Sequence, residues 1–290
     1  MTGILLVDKP VGFTSHDVIA KLRGVLHERR LGHAGTLDPM ATGLLVVFAG
    51  RATRAVQFAE SQSKRYFATM RTGIVTDTQD ITGNVLETSE VEISEEMLYK
   101  LLPEFTGALL QTPPMYSAVK QNGKKLYELA RKGIEVERKS REIIIHSLEY
   151  QRHIENDFQL SIECSKGTYI RTLCHDIGAR LGCGATLSSL RRTKSGDFSV
   201  EDAHTLDKII ECSQQGRAQE LFLPVDSLFS EYAQLTIDEK QKAKCLCGNS
   251  FPANMPDGVY RVYDEDGAFM MLGEAKEGLL TTIKSFFEIE

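Results

Sequence analysis

Asp38 is the carboxylate whose sequence setting best suits it to chemistry. It lies in the glycine-rich stretch 32–43, which we predict to be an irregular loop between two apolar elements. Glycines at positions 32, 35 and 43 permit tight turns and close approach of a ligand, and Pro39 restricts the backbone at Asp38. A carboxylate held on such a loop can act as a nucleophile or as an acid or base. A turn or capping role is the alternative, because Asp often precedes Pro in turns.

Tyr169 and Arg171 are the groups that would complement this carboxylate. They are two residues apart at the start of a predicted amphipathic helix, 168–181, and share one face only if the chain is extended where that helix begins. An arginine facing Asp38 would keep the carboxylate ionised through a charge-assisted pair. A neighbouring tyrosine offers a ring for stacking on a base and a hydroxyl for proton transfer. A surface arginine and a tyrosine at the edge of the core are the alternative interpretation.

Buried strands and a helix are predicted to hold the aspartate loop. Residues 3–8 and 44–49 are short apolar runs typical of buried strands, and 186–193 is a third strand. Ser15 is predicted to cap a helix that ends near Leu26. Because strands follow strands without a regular strand–helix–strand alternation, we predict an α+β fold with a mixed, largely antiparallel sheet.

The chain of 290 residues is long enough for one large domain and a small appendix. Short strands separated by turns are predicted at 259–263, 269–273 and 278–283. This pattern favours a small C-terminal β domain. We place the division near 225–235, with a large domain over 1–230 and a small one over 231–290.

The charge is distributed unevenly along the chain. The net charge is −6, from 34 Lys and Arg against 40 Asp and Glu. Residues 195–290 hold only 8 of the basic but 18 of the acidic groups, which leaves residues 1–194 with a net charge of +4. Such asymmetry is typical of a chain with one surface that faces nucleic acid. Basic residues dispersed over solvated faces would give the same count.

The sequence excludes several classes of protein. Its start has no basic region before the short apolar run, unlike a signal peptide, and the longest apolar stretch, 44–49, is too short to cross a bilayer. The six cysteines show neither a disulfide framework nor the paired C-x-x-C spacing of a zinc site. We therefore predict a cytoplasmic protein with reduced thiols and no metal.

Seven ordered motifs, covering roughly residues 3 to 196, resemble those of the bacterial tRNA pseudouridine-55 synthases, the TruB family. They are LLVDKPVGFTS at 5–15, GHAGTLDPMATGLL at 32–45, KRYFA at 64–68, TDTQDITG at 76–83, PPMYSAVKQNGKKLYELARKGI at 113–134, CSKGTYIRTLCHDIG at 164–178 and LGCGATLSSLRRTKSG at 181–196. Several of these motifs are too long to match by chance. The segment 250–290 resembles the abbreviated RNA-binding PUA domain of bacterial members.

The resemblance implies an activity and a set of site residues. The activity is isomerisation of uridine 55 in the T-loop of tRNA, by base flipping and without a cofactor. Asp38 matches the catalytic aspartate of the family, and Arg171 matches its partner. The residues that contact the flipped uridine or shape its pocket are matched by His33, Tyr66, Tyr169 and Leu190. A pair that supports the active-site loop is matched by Lys9 and Pro10.

The basic segment 113–141 corresponds by resemblance to an insertion that grips the T-arm of tRNA. We predict a short helix over 124–132, and expect Lys120, Lys124 and Lys125 to contact phosphates. A solvated helix and linker would have the same composition. The expected partner is tRNA, with no obligatory protein partner, and a monomer is the expected oligomeric state.

Two other functions fit parts of the sequence. A glycoside hydrolase would use Asp38 and a second carboxylate as an acid–base pair, and Asp8 is the nearest candidate. An RNA chaperone would use the basic insertion without needing any catalytic carboxylate. Residue types alone also leave open whether Asp38 attacks the sugar, attacks the ring or assists elimination at C2′.

Overall fold

A computed structural model describes residues 1–287 as strands and helices arranged around one large sheet. The strands are β1 Gly3–Lys9, β2 Leu31–Ala34, β3 Thr42–Ala49, β4 Lys64–Thr72, β5 Ile74–Thr76, β6 Val85–Thr88, β7 Gly107–Gln111, β8 Lys120–Gln121, β9 Lys124–Lys125, β10 Arg141–Ile154, β11 Asp157–Cys164, β12 Ala185–Ser195, β13 Phe198–Ser199, β14 His204–Thr205, β15 Phe222–Leu223, β16 Ala233–Thr236, β17 Phe251–Pro252, β18 Gly258–Tyr263, β19 Phe269–Lys276 and β20 Leu279–Ser285. The helices are α1 Ser15–Leu26, α2 Val56–Ser61, α3 Glu95–Leu101, α4 Leu126–Ala130, α5 Ile170–Leu181, α6 Leu206–Gln214 and α7 Glu239–Leu246.

The large sheet has eleven strands, and its main path runs β14-β1-β3-β12-β4-β11-β10-β7. Strands β2, β13 and β15 pair with β3, β12 and β1. The β1–β14 and β3–β12 pairs are parallel, and the remaining pairs of this sheet are antiparallel. The predicted α+β fold with a mixed, largely antiparallel sheet is confirmed.

Helix α1 has the predicted extent but a different cap. Thr14 is the N-cap, and its side chain exchanges hydrogen bonds with Asp17 in a capping box. Ser15, the predicted cap, is instead the first helical residue and is fully buried. The prediction of the cap was wrong because the hydroxyl of Ser15 bonds a distant residue, Leu37, which local sequence does not reveal.

Two further predictions of secondary structure need correction. The predicted loop 32–43 begins inside strand β2, because β2 pairs with β3 in antiparallel register from Leu31 opposite Ala49 onward. The predicted helix over 124–132 is helical only in α4, because β8 and β9 form a hairpin just before it. That hairpin turns at Asn122 and Gly123, both of which have a positive φ.

A second sheet of five strands follows in the order β16-β18-β19-β20-β17. It packs against the large sheet through Phe269 and Phe286, which share a hydrophobic cluster with Phe48 of β3 and with Phe229. Residues 288–290, the end of the predicted small domain, lie outside the described residues. We retain the division between 1–230 and 231–290 as a proposal. In the described part of the chain, no helix is long and apolar enough to span a membrane.

Helix α5 lies directly against β12 because Gly178 lacks a side chain. A Cβ atom at Gly178 would come within 2.2 Å of the backbone nitrogen of Ala185. We expect Gly178→Ala to lower the free energy of unfolding by about 1–3 kcal/mol or more, measured by urea denaturation.

Gly24→Ala is the matched control for this prediction. Gly24 is also helical, and a Cβ there would meet no atom within 4 Å. Alanine should therefore raise stability by about 0.5–1 kcal/mol, as expected for an exposed helix interior. Equal effects of the two substitutions would contradict the close approach of α5 to β12.

Candidate active site

The aspartate loop is held on one side by the buried ammonium group of Lys9. Its Nζ donates hydrogen bonds to the carbonyl oxygens of Pro10 at 3.0 Å, Phe13 at 2.6 Å and Pro39 at 3.5 Å. The backbone nitrogen of Gly12 donates to the same Pro39 oxygen at 2.8 Å. Burial lowers the pKa of Lys9 to about 8. These bonds join the segment after β1 to the chain next to the aspartate.

The other side of the loop is held by Arg192 and Ser15. The backbone nitrogen of Leu37 donates to the Ser15 hydroxyl at 2.9 Å. Arg192 is fully buried, and its guanidinium donates to the carbonyl oxygens of Leu44 at 2.7 Å and Gly35 at 3.0 Å. The main chain on both sides of the aspartate is thus fixed by groups that come from distant parts of the sequence.

Asp38 and Arg171 form the ion pair that their sequence settings suggested. Nε of Arg171 lies 2.9 Å from Oδ2 of Asp38, and Nη2 donates to Oδ1 at 3.4 Å. Tyr169 is the N-cap of α5 in an extended conformation, so Arg171 enters the site from the first turn of the helix. The Asp38 side chain is 36% exposed, whereas that of Arg171 is only 4% exposed. The carboxylate therefore remains accessible to a substrate while its counter-ion is buried.

Asp80 is a second carboxylate that contacts Arg171, and it was not predicted from the sequence. Arg171 Nη1 donates to Asp80 Oδ2 at 3.4 Å and to the Thr78 carbonyl oxygen at 2.9 Å. Nη2 donates to the Tyr116 carbonyl oxygen at 2.9 Å. Asp80 is buried and accepts hydrogen bonds from the hydroxyls of Thr78 and Thr82. The signal that could have identified it is an Asp flanked two residues away on each side by a threonine within a polar turn.

The pKa of the Asp38 carboxyl is raised by some of its surroundings and lowered by others. Burial raises this pKa, and the nearby negative charge of Asp80 acts in the same direction. The guanidinium of Arg171 opposes both effects. One arginine is therefore shared between two carboxylates, and Asp38 has a pKa above that of an ordinary aspartate.

Tyr66 and Leu190 form an apolar wall close to the aspartate loop. Both are buried in the hydrophobic cluster that also contains Leu37 and Ile170, the residues next to Asp38 and Arg171. Strands β4 and β12 pair directly and carry these two side chains. Burial raises the pKa of the Tyr66 hydroxyl, so this group is a neutral phenol.

His33 is half-buried on β2 and neutral at physiological pH. Its ring meets that of His16 edge to face, with the centroids 5.5 Å apart. Burial lowers the pKa of His33 to about 4, and the positive charges that His16 and Arg192 can carry add to this effect. Its Nδ1 atom is buried without a hydrogen-bond partner among the described residues. His33 thus has an unused polar atom that a ligand could engage.

Tyr169 is held by neighbours from the large sheet. Its backbone nitrogen donates to Gln111 Oε1 at 2.8 Å, and Gln111 Nε2 donates to its carbonyl oxygen at 3.0 Å. The guanidinium of Arg141 lies over its ring, 4.9 Å from the centroid. These contacts fix both the main chain and the ring of a residue adjacent to the Arg171 helix.

The three predicted phosphate-binding lysines lie together on the β8–β9 hairpin. Lys120 pairs directly with Lys125, and both Lys120 and Lys124 are exposed. Nζ of Lys125 lies 5.4 Å from the centroid of the Tyr127 ring. Like charges directly opposite each other are unfavourable across a strand pair, so an anion bound here would relieve repulsion.

Asp8 is unsuited to be the second acid of a glycoside hydrolase. Both of its oxygens accept hydrogen bonds from Arg191, at 3.1 Å and 2.8 Å, so it is held as a bidentate ion pair.

Within residues 1–287, no group of three or more His, Cys, Asp or Glu side chains is arranged to hold a metal ion.

Two solved structures have a fold similar to that of this chain. The solved structure "Crystal Structure of a Cbf5-Nop10-Gar1 Complex" is similar, with a TM-score of 0.75 and 26% identity, over 98% of this chain and 85% of that one. A structure of an H/ACA RNP bound to a substrate RNA containing 2′-deoxyuridine has the same fold, with a TM-score of 0.74.

The sequence matches two family domains. Residues 23–170 match the TruB family pseudouridylate synthase N-terminal domain, and residues 171–230 match the tRNA pseudouridylate synthase B C-terminal domain. The tRNA pseudouridine synthase B of Clostridium kluyveri is 39% identical over 99% of this chain and 100% of the relative. The protein of that name from a Bacillus cereus strain is 45% identical over 86% of this chain and 83% of the relative. The chain belongs to the TruB family of pseudouridylate synthases.

Asp80→Asn should lower the pKa of Asp38. The substitution removes one of the two negative charges that share Arg171, so the remaining carboxylate is stabilised in its ionised form. Titration of the Asp38 carboxyl carbon by NMR measures the change directly.

Asp77→Asn is the control for this titration. Asp77 lies in the same turn, but its carboxylate accepts hydrogen bonds from Asn84, one of them from the backbone nitrogen at 2.8 Å. It should leave the pKa of Asp38 unchanged. A pKa of Asp38 that stays constant or rises in Asp80→Asn would show that the two carboxylates do not compete for Arg171.

Proposed function

We propose that this chain converts uridine to pseudouridine at position 55 in the T-loop of tRNA. Membership of the TruB family makes it a pseudouridine synthase, an isomerase, and the names of its relatives support tRNA as the substrate. The main structural observation behind this proposal is the carboxylate of Asp38. It lies accessible on a braced loop and is paired with the buried guanidinium of Arg171. Its predicted location is the cytoplasm.

Asp38 is the proposed nucleophile. The rearrangement breaks the bond between N1 and C1′ and forms one between C5 and C1′. C5 loses a proton and N1 gains one, so the product is an isomer of the substrate, and the reaction is redox neutral and needs no cofactor. An ionised carboxylate is required, and the charge of Arg171 favours that form. The same placement of Asp38 serves attack on the sugar, attack on the ring or assistance to elimination at C2′.

The uridine must leave its stack to reach Asp38, because the reacting atoms are enclosed in a folded RNA. We propose that Tyr66 and Leu190 form the apolar surface that receives the base, with Tyr66 supplying an aromatic ring for stacking. The neutral His33 offers an unused nitrogen to a polar group of the substrate. These contacts would offset the cost of unstacking.

Tyr169 is proposed to position the base and to pass on the C5 proton. A neutral phenol is a weak base, so positioning is the larger part of this role. Lys9 and Pro10 are proposed to support the aspartate loop. The buried ammonium group of Lys9 does so by donating a hydrogen bond to the carbonyl oxygen of Pro39, the residue next to Asp38.

Binding of the T-arm is assigned to the basic insertion 113–141. Lys120, Lys124 and Lys125 are proposed to contact phosphates, which would also neutralise the facing charges of the hairpin. The chain is proposed to act as a monomer without a protein partner. The small PUA-like domain over 231–290 is acidic, so we assign it a minor share of the RNA affinity.

The assay that tests this function uses an unmodified tRNA transcript labelled with tritium at C5 of its uridines. Wild type should release tritium and form pseudouridine at position 55, and Asp38→Asn should abolish release, because an amide cannot act as the nucleophile. Asp77→Asn is the matched control and should retain the wild-type rate. Release at other positions only would contradict the assigned target.

The same variant separates catalysis from an RNA chaperone function. Asp38→Asn should still bind tRNA, because the basic insertion is unchanged. Tight binding by wild type without release of tritium would support the chaperone function and contradict the proposed reaction.

A further inference from the structure

The basic insertion leaves and rejoins the large sheet at a single cross-strand pair. Strand β7 ends at Gln111, strand β10 begins at Arg141, and these two residues are directly paired in antiparallel register. The hydroxyls of Thr112 and Ser140 are 2.8 Å apart at the next step outward. We call Gln111 and Arg141 the root pair, because the whole insertion is attached to the sheet through them.

Both members of the root pair hold Tyr169. The buried amide of Gln111 forms two hydrogen bonds with the main chain of Tyr169, one to its nitrogen and one to its carbonyl oxygen. The guanidinium of Arg141 lies over the Tyr169 ring and donates to the carbonyl oxygen of Gly167. A residue assigned to the substrate is thus positioned from the base of the RNA-binding insertion.

The contacts of Arg141 leave part of its side chain unsatisfied. Its Nε atom is buried and has no hydrogen-bond partner among the described residues. Leaving a buried donor without a partner is unfavourable, and a phosphate oxygen is a strong acceptor for a guanidinium. An RNA phosphate at this free donor would therefore satisfy Arg141 and hold its guanidinium over the Tyr169 ring.

A second contact connects the insertion to the catalytic ion pair. The carbonyl oxygen of Tyr116, within the insertion, accepts a hydrogen bond from Nη2 of Arg171, which also donates to Asp38. A displacement of the insertion would therefore act on the partner of Asp38 as well as on Tyr169.

We propose that the root pair couples binding of RNA by the insertion to the position of Tyr169, so that the site is completed when tRNA is bound. Gln111 and Arg141 are positioning residues in this scheme. Gln111 sets the main chain of Tyr169, and Arg141 sets its ring. The inference rests on the proposed function, since it concerns the same substrate and the same site.

The test measures the single-turnover rate at saturating tRNA and the Kd for tRNA separately. Gln111→Ala and Arg141→Ala should each reduce the rate at least about 10-fold, because small displacements of a positioning group slow the chemical step. The Kd should change by less than about threefold, since the phosphate-binding lysines remain. Arg141→Lys should recover part of the rate, because an ammonium retains the attraction to the ring but lacks the planar fork.

The controls are a second arginine and glutamine pair. Arg152 lies on β10 far along the strand from the insertion, and its Nε donates to Gln159 Oε1 at 2.6 Å. Arg152→Ala and Gln159→Ala should retain the wild-type rate. If Gln111→Ala unfolds below the assay temperature, the inference is tested with the variants of Arg141 alone, because this residue is only half-buried.

Two results would overturn the inference. Wild-type rates in the Arg141 variants would show that the ring contact does not position Tyr169. Losses of equal size in rate and in affinity would show that the root pair serves RNA binding only. A wild-type chain that converts no uridine would contradict the proposed function itself, and the inference would fall with it.

Discussion

The buried guanidinium of Arg171 is the group on which the arrangement of the site depends. A buried cation is stable only when opposite charges and hydrogen-bond acceptors lie next to it. Arg171 is paired with two carboxylates, Asp38 and Asp80, and its terminal nitrogens also donate to the carbonyl oxygens of Thr78 and Tyr116. The four acceptors come from three separate segments, so the aspartate loop, the polar turn and the start of the insertion must converge on the first turn of α5. The contacts of Arg171 therefore also stabilise the packing of these three segments.

The described residues include buried cations next to the aspartate loop and exposed cations on the β8–β9 hairpin, and the two groups have different contacts. Lys9, Lys64 and Arg192 are buried, and their side chains donate hydrogen bonds to main-chain carbonyl oxygens. These three residues therefore hold the loops in place rather than bind substrate. Burial lowers the pKa of Lys64, as it does that of Lys9, to about 8. Lys120 and Lys124 are exposed on the β8–β9 hairpin, where we propose that they contact phosphates. The cations of the chain thus divide into buried ones that hold loops and exposed ones that we propose face RNA.

The sequence indicated the local features of the site and the pairing of Asp38 with Arg171, but it did not indicate the other long-range contacts. Gly43 could be predicted to need a special backbone, and it has a φ of 96° with the carbonyl oxygen of Arg192 only 2.3 Å from where a Cβ would lie. Strand β2 could not be predicted, since its polar and glycine residues become a strand only by pairing with β3. Asp80 was missed because its partner, Arg171, lies 91 residues away. Motif resemblance pointed to Asp38, Arg171 and a supporting role for Lys9 and Pro10, but it did not point to Asp80, Ser15 or Arg192.

The measurement that tests the central claim most directly compares Arg171→Ala with Arg180→Ala on the same helix. Arg180 is exposed and pairs only at the surface with Glu104, so it controls for the loss of an arginine from α5. We expect Arg171→Ala to lower the single-turnover rate by at least about 100-fold, while the Kd for tRNA changes by less than about threefold. Arg180→Ala should resemble wild type in both. Equal losses of rate and affinity in Arg171→Ala would contradict the claim that Arg171 acts through Asp38.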